Sequence, residues 1–350
     1  MSTPEVNPTA SHVSSADRSV PTASPTASIL PSPQDIRDAA LRIAPAIRQT
    51  PFYKSETLSA FLGGPTWLKL ESEQHTGSFK LRGAANALAT LTHDQRARGV
   101  VTASAGNHGL GIAAAAKELG VMLTVFVPRT APAVKRDRIA EFGATVDATA
   151  AKYDDAEVLA REYAERTGAT FVSAYAGREV MAGQGTVALE ILEELPSLRT
   201  IIVPIGGVGL ASGIAGLLRA EAPGVRIVGA QSERTNAMTI AMATGRPTDI
   251  PDLPTLADGL SGQADAGMLA QGQAALDDIV AASEEDVASA IAYLWIEEGF
   301  KVEGAGAVGV AALLSGRVAN LEFPLVVVVS GRNIDDSKHK AVLSGNYKSG

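Results

Sequence analysis

Thr200-Ile201-Ile202-Val203-Pro204-Ile205 runs straight into Gly206-Gly207-Val208-Gly209-Leu210-Ala211-Ser212-Gly213. The apolar run reads as a strand covered on both faces, as strands of parallel sheets are. A helical pattern, Ala211–Ala220, follows, so the glycine-rich turn sits where a strand hands over to a helix. Backbone N–H groups and the helix dipole favour an anion at such a place, and the composition suits a phosphate cradle. A rival reading fits the same residues. Gly207, Gly209 and Gly213 have the spacing of a dinucleotide fingerprint, with Glu233 near the end of the next strand as its ribose-binding acid. A Walker loop is excluded, because no Gly-Lys-Ser/Thr follows.

The alternation continues along the chain. Candidate strands are Thr66–Glu71, Gly99–Ala103, Met122–Pro128, Thr145–Ala148, Thr170–Ser173, Val225–Ala230 and Leu325–Ser330. Helix-like stretches are Gly109–Leu119, Ala133–Phe142, Asp154–Arg166, Val180–Glu194 and Glu284–Glu298, the last with Ser283 as N-cap and an acidic first turn. This is an α/β pattern, with parallel sheets and ligand sites at the carboxyl ends of strands. No internal repeat is visible.

Composition narrows the function classes. The chain has 350 residues, 46% hydrophobic and 19% charged, with no cysteine, which removes disulfides, thiolate catalysis and metal–thiolate sites. Thirty basic residues against 38 acidic give a net charge of −8 with no basic patch, so nucleic-acid and anionic-membrane partners are not expected. No apolar run approaches the roughly 20 residues of a membrane helix, and a cytoplasmic protein is expected. Residues 1–33, rich in Ser, Thr, Pro and Ala, read as a disordered leader with neither the apolar core of a secretory signal nor the arginines of a transit peptide.

Two further loops open helices. In Thr76-Gly77-Ser78-Phe79-Lys80-Leu81-Arg82-Gly83-Ala84, a lysine stands after an aromatic between glycines. Lysine forms reversible imines with aldehydes, although a solvated lysine at a helix start has the same look. Ser104-Ala105-Gly106-Asn107-His108-Gly109 follows a strand and offers amides to a carboxylate. Asn107 could donate to a phenolate-type oxygen, or simply cap the helix. None of the five histidines has metal-ligand spacing.

Together these loops resemble one family. Ser78–Ala84, Ser104–His108, Ala182-Gly183-Gln184-Gly185-Thr186, the Gly206 loop, Thr255-Leu256-Ala257-Asp258-Gly259 and Ser330-Gly331-Arg332-Asn333-Ile334-Asp335 stand in the order found in the pyridoxal-phosphate-dependent threonine/serine dehydratases. The resemblance covers about residues 34–342. It implies the two-lobed tryptophan synthase β-like fold (fold type II), with parallel or mixed twisted sheets flanked by helices. A large domain of 34–95 plus 178–342, a small inserted domain of 96–177 and a tail of 343–350 are expected, as is a homodimer. The chain ends soon after the Ser330 motif, so no appended regulatory domain is expected.

The resemblance also assigns roles. Lys80 would hold pyridoxal phosphate as an internal aldimine and later shuttle the proton, with Phe79 packed on the ring and Asn107 at its 3′-oxygen. The amides of Gly206, Gly207, Val208, Gly209 and Leu210 would hold the phosphate, and Ser330 the pyridine nitrogen. Ser104, Ala105, Gly106, Asn107 and His108 would seat the carboxylate of a small amino-acid substrate. A neutral hydroxyl partner makes the ring a poorer electron sink than a carboxylate partner would, which favours β-elimination over a long-lived carbanion. The implied reaction is the deamination of an L-threonine- or L-serine-type substrate to a 2-keto acid and ammonia.

Departures from the pattern qualify this. Serine racemases resembling this chain have a serine where Ala105 stands, so racemisation should be weak. The carboxylates of the family's divalent-cation site are missing near Gln231 and Ala237, so no metal is expected there. Val208 interrupts the glycine loop, and a β-branched residue disfavours positive φ, so an altered loop is expected. Arg332 replaces a glycine and is a candidate substrate contact, a feature shared with hydroxyectoine-utilisation dehydratases. A nicotinamide-dependent oxidoreductase and a non-catalytic cofactor-binding protein remain the alternatives from other classes.

Overall fold

The computed structural model describes residues 29–347. Most of the expected leader therefore lies outside the described residues. Its end does not: Ser32 accepts from the Asp35 amide as N-cap of a helix over Pro33–Ile43, and Asp35 returns the bond to Ser32 N. The helix buries Ile36, Ala39 and Ile43, so the fold begins before residue 34.

Ten strands form among the described residues: β1 (Phe52–Lys54), β2 (Thr66–Leu70), β3 (Val100–Ala103), β4 (Leu123–Pro128), β5 (Thr145–Ala150), β6 (Thr170–Phe171), β7 (Thr200–Pro204), β8 (Arg226–Ser232), β9 (Asp278–Ala282) and β10 (Leu325–Val329). Six make a sheet in the order β1-β2-β10-β7-β8-β9, and four make a second in the order β5-β4-β3-β6. Every pairing is parallel except β1 with β2. The continuously apolar strands behave as expected, since every residue of β7 and β10 is buried. The division of the chain near residues 95 and 177 is our proposal, and it follows the two sheets.

Edge strands β1 and β9 escape the sequence reading because β1 is only three residues long and mostly exposed, and β9 is largely half-buried. The helix Gly304–Leu314 escapes it for the opposite reason. Its first ten residues are all buried, so it has no polar face and no amphipathic period to detect. Elsewhere the helices begin slightly earlier than expected: Asn107 rather than Gly109, and Gly209 rather than Ala211.

The Ala182–Thr186 motif serves packing. A Cβ on Gly183 would lie 2.6 Å from Arg82 O, and one on Gly213 would lie 2.2 Å from Met181 O. These missing side chains let the helix Arg178–Glu194 lie directly against both Lys80–Ala89 and Gly209–Glu221. Gly213 is therefore a helix-packing residue rather than part of a fingerprint.

Beneath the Lys80 helix lies a buried ion network. The Arg82 guanidinium meets both oxygens of Glu71 at 2.8 Å and both oxygens of Glu190 at 2.6 and 2.9 Å. Lys69 Nζ donates to Glu190 Oε2 at 2.6 Å and to Thr50 O at 2.8 Å, while Thr50 Oγ1 donates to Glu71 Oε1 at 2.6 Å. Two cations face two carboxylates. Burial works against the Arg82 charge, but Glu71 and Glu190 outweigh it and raise its pKa. Removing one member leaves buried charge uncompensated, which costs about 3–5 kcal/mol. Arg82→Met should lower the urea-unfolding free energy by about that amount; a loss below about 1 kcal/mol would show the network to be weakly coupled to folding.

Candidate active site

Strand order brings the loops together. β10 lies between β2 and β7, and in parallel strands the carboxyl ends point the same way. The segment leading to Lys80 (after β2), the Ser330 segment (after β10) and the Gly206 loop (after β7) therefore emerge side by side. The Ser104 loop leaves β3 of the second sheet, and its helix approaches them: a Cβ on Gly111 would lie 3.0 Å from Leu81 N.

Lys80 is the first residue of its helix, and Phe79 N donates to Ser330 O at 3.1 Å. Lys80 Nζ donates to Ala174 O at 2.7 Å and lies 5.2 Å from the Phe79 ring centroid. Burial pulls its pKa down to about 8, against the upward pull of the Glu303 carboxylate. Such an amine is half neutral at pH 8, where an ordinary lysine is almost wholly protonated.

The Gly206 loop closes on the residue after Ala174. A Cβ on Gly207 would strike the Tyr175 ring at 2.3 Å, and one on Gly209 would strike Tyr175 O at the same distance. Val208 does not change the loop's character: it takes φ 63°, in the left-handed region, while its side chain is buried. That conformation costs about 1–2 kcal/mol, and burying the side chain offsets it by a similar amount. Among the described residues, none of the amides of Gly206, Gly207, Val208, Gly209 and Leu210 has an acceptor. Five successive unpaired donors at a helix N-terminus fit a phosphate. The hydroxyls of Ser78 and Thr76, beside Lys80, and of Ser212 are likewise buried without partners.

Ser330 Oγ is buried and reaches only Ala305 O, at a long 3.3 Å. In the Ser104 loop, Ser104 Oγ accepts from Gly106 N at 3.3 Å, while the amides of Ala105, Asn107 and His108 have no acceptor among the described residues. The His108 ring turns back into the protein. Its Nε2 lies 3.1 Å from Thr102 Oγ1, whose hydroxyl donates to Val172 O at 2.7 Å. Burial and the Lys80 charge push its pKa down to about 3, so the ring is neutral and this residue offers an anion its backbone amide only.

Asn107 Nδ2 donates to Glu303 Oε1 at 2.6 Å, and its Oδ1 accepts from Asn333 Nδ2 at 2.7 Å. Arg332 sits at the rim with Nη1 2.6 Å from Glu73 Oε2, so an incoming anion would compete with Glu73 for it. Glu303 and Glu73 are absent from the sequence reading. Glu303 precedes the helix that has no amphipathic period, and Glu73 lies ahead of the Lys80 loop in a short 3₁₀ turn; neither carries a spacing signal. Glu233, the rival ribose acid, pairs with Arg317 at 3.1 Å. Gln231 is satisfied internally, accepting from Thr239 N and Oγ1 at 2.9 Å each.

The family model for pyridoxal-phosphate dependent enzymes matches residues 43–331. The chain belongs to that family. The L-threonine ammonia-lyase of Thermotoga maritima is 38% identical over 319 residues, 91% of this chain and 79% of that protein. Among solved structures, maize serine racemase matches with a TM-score of 0.85 at 32% identity, covering 90% of this chain and 98% of that one. The serine racemase of Dictyostelium discoideum matches with a TM-score of 0.82 at 30% identity, covering 87% and 99%. The fold is thus that of the tryptophan synthase β-like pyridoxal-phosphate enzymes, and the dinucleotide reading falls with it.

A pyridoxal-phosphate enzyme whose lysine has this environment should capture its cofactor near neutral pH. The rate at which the apoprotein develops a visible band with pyridoxal phosphate should rise up to about pH 8 and then level, because the neutral-amine fraction saturates above a depressed pKa. A rate still climbing beyond about pH 10 would mean an unperturbed lysine.

Proposed function

We propose that the protein is a pyridoxal-phosphate-dependent ammonia-lyase that deaminates a β-hydroxy amino acid of the L-threonine or L-serine type. The reading rests on one observation above all: a half-buried lysine of depressed pKa, Lys80, hydrogen-bonded to the residue preceding the one that closes on the five-amide cradle. The named activity of the Thermotoga relative supports it.

Bound there, pyridoxal phosphate supplies an aldehyde that reacts with amines and a ring that spreads the charge left when an α-proton departs. Lys80 Nζ would hold it covalently. The amides of Gly206, Gly207, Val208, Gly209 and Leu210 would hold its phosphate, and Phe79, Asn107 and Ser330 would hold its ring and polar atoms. The amides of Ala105, Asn107 and His108, with Ser104 and Gly106 in the same turn, orient the substrate carboxylate. The Lys80 amine, sufficiently neutral when free, would accept the α-proton of the substrate as general base. Ser330 would offer the ring nitrogen a neutral hydroxyl rather than a carboxylate, an environment that favours prompt loss of a β-substituent. Ala105 carries no proton to return from the opposite face, which disfavours racemisation. The small amino-acid substrate would reach the site between the two sheets; we infer a homodimer from the family resemblance and a cytoplasmic location from the composition.

Holoprotein mixed with L-threonine or L-serine should release 2-keto acid and ammonia in equal amounts. Lys80→Ala should abolish both the turnover and the visible band, a loss of at least about a thousandfold expected for a covalent catalyst. A band with no keto acid from either substrate would refute the L-threonine or L-serine type and point to a different amino-acid substrate, with Arg332 as the residue to vary.

A further inference from the structure

Asn107 is an amide, and an amide can turn either its oxygen or its nitrogen toward a ligand. Here both ends are already engaged. Glu303 Oε1 accepts from Nδ2 at 2.6 Å, Asn333 Nδ2 donates to Oδ1 at 2.7 Å, and Asn333 is itself fixed by donating to Thr76 O at 2.9 Å. The carboxylate can reach Asn107 only because residue 331 has no side chain. A Cβ there would lie 2.3 Å from Glu303 Oε1 and 3.2 Å from Asn107 Nδ2. Glu303 N donates to Gly331 O at 3.1 Å, locking the start of the Gly304–Leu314 helix to the Ser330 turn.

We propose that Glu303 is a positioning residue: with Asn333 it clamps the Asn107 amide so that Asn107 keeps one free N–H, and no acceptor, to present beside Lys80. The inference rests on the pyridoxal-phosphate reading of the site and deepens it. A donor from Asn107 stabilises a negatively charged oxygen on a bound ring; a flipped amide would repel it. A carboxylate at 303 enforces this together with Asn333, because it can accept and never donate. A glutamine could donate to a flipped Asn107 and so would allow the wrong orientation.

The surroundings give the clamp a pH dependence. Glu303 is buried, and burial together with the Asp258 charge raises its pKa to about 7, against the Asn107 hydrogen bond, the Lys135 charge and the Asn333 amide. Lys80 faces it from the neighbouring helix, and Asp335 and Lys338 line the same cleft. Below about pH 7 the carboxyl gains a proton, becomes a donor, and the enforcement of Asn107 is lost; above it the clamp is complete.

The test is a pH titration of the visible band of reconstituted holoprotein, beside kcat and KM, for the wild type, Glu303→Gln and Asn333→Ala. The wild type should show an inflection near pH 7 that Glu303→Gln lacks, with kcat lowered by about tenfold or more and KM changed less than about threefold, as for a lost charge-assisted hydrogen bond. Asn333→Ala, which opens the other side of the clamp and leaves Glu303 intact, should keep the inflection and lose kcat in the same direction. If Glu303→Gln does not fold, the Asn333→Ala result decides. A Glu303→Gln enzyme with the wild-type inflection and kcat, or an Asn333→Ala enzyme with unchanged kcat, overturns the clamp while leaving the cofactor reading intact. A wild type that forms no band with pyridoxal phosphate overturns both.

Discussion

The site depends on a charge arrangement beneath it. Arg82, two residues beyond Lys80, is fully buried and joined through Glu71 and Glu190 to Lys69 and Thr50. One network thus ties strand β2, the turn that follows it, the Lys80 helix and the helix Arg178–Glu194. Buried charges are tolerated only when paired and hydrogen-bonded, so the helix has one place to sit. Fixing the helix fixes the backbone of Lys80, and a lysine is useful as nucleophile and base only if its amine is held where water does not keep it protonated.

The rest follows from parallel-sheet geometry. Three neighbouring strands deliver three loops to one rim, and the second sheet adds a fourth through the helix at Asn107. Close helix crossings at Gly183 and Gly213 keep the amine and the amide cradle in one frame. Apart from the apolar packing of the Asn107 helix on the Lys80 helix, polar contacts span the rim. Lys135 lies 3.4 Å from Asp258, and Arg138 lies 3.4 Å from Asn333 Oδ1. Partly exposed pairs of this kind contribute little energy, which suits a cleft that must admit substrate and release product.

Much of this was legible in the sequence because strand burial and glycine turns leave periodic, local marks. The apolar run at Thr200–Ile205 and the turn after it gave the fold class, and six ordered motifs gave the family. What stayed hidden is set by contacts between distant segments. Glu303 meets Asn107 across 196 positions and Glu190 meets Arg82 across 108, and no spacing rule links such pairs. Val208 shows a second limit. Its β-branched side chain argued for an altered loop, yet burial in the core offsets the strain and the backbone keeps the left-handed turn. Likewise, the partner of Arg332 is Glu73, which lies in a turn without any motif.

The central claim is that Lys80, among all the lysines, is the one placed to hold the cofactor. Reducing the holoprotein with borohydride and mapping the peptide that carries the phosphopyridoxyl group tests this most directly. The account predicts a single modified residue, Lys80, despite the more deeply buried Lys69 nearby, whose amine is committed to Glu190. Label on Lys69, on surface lysines alone, or on no lysine would contradict it.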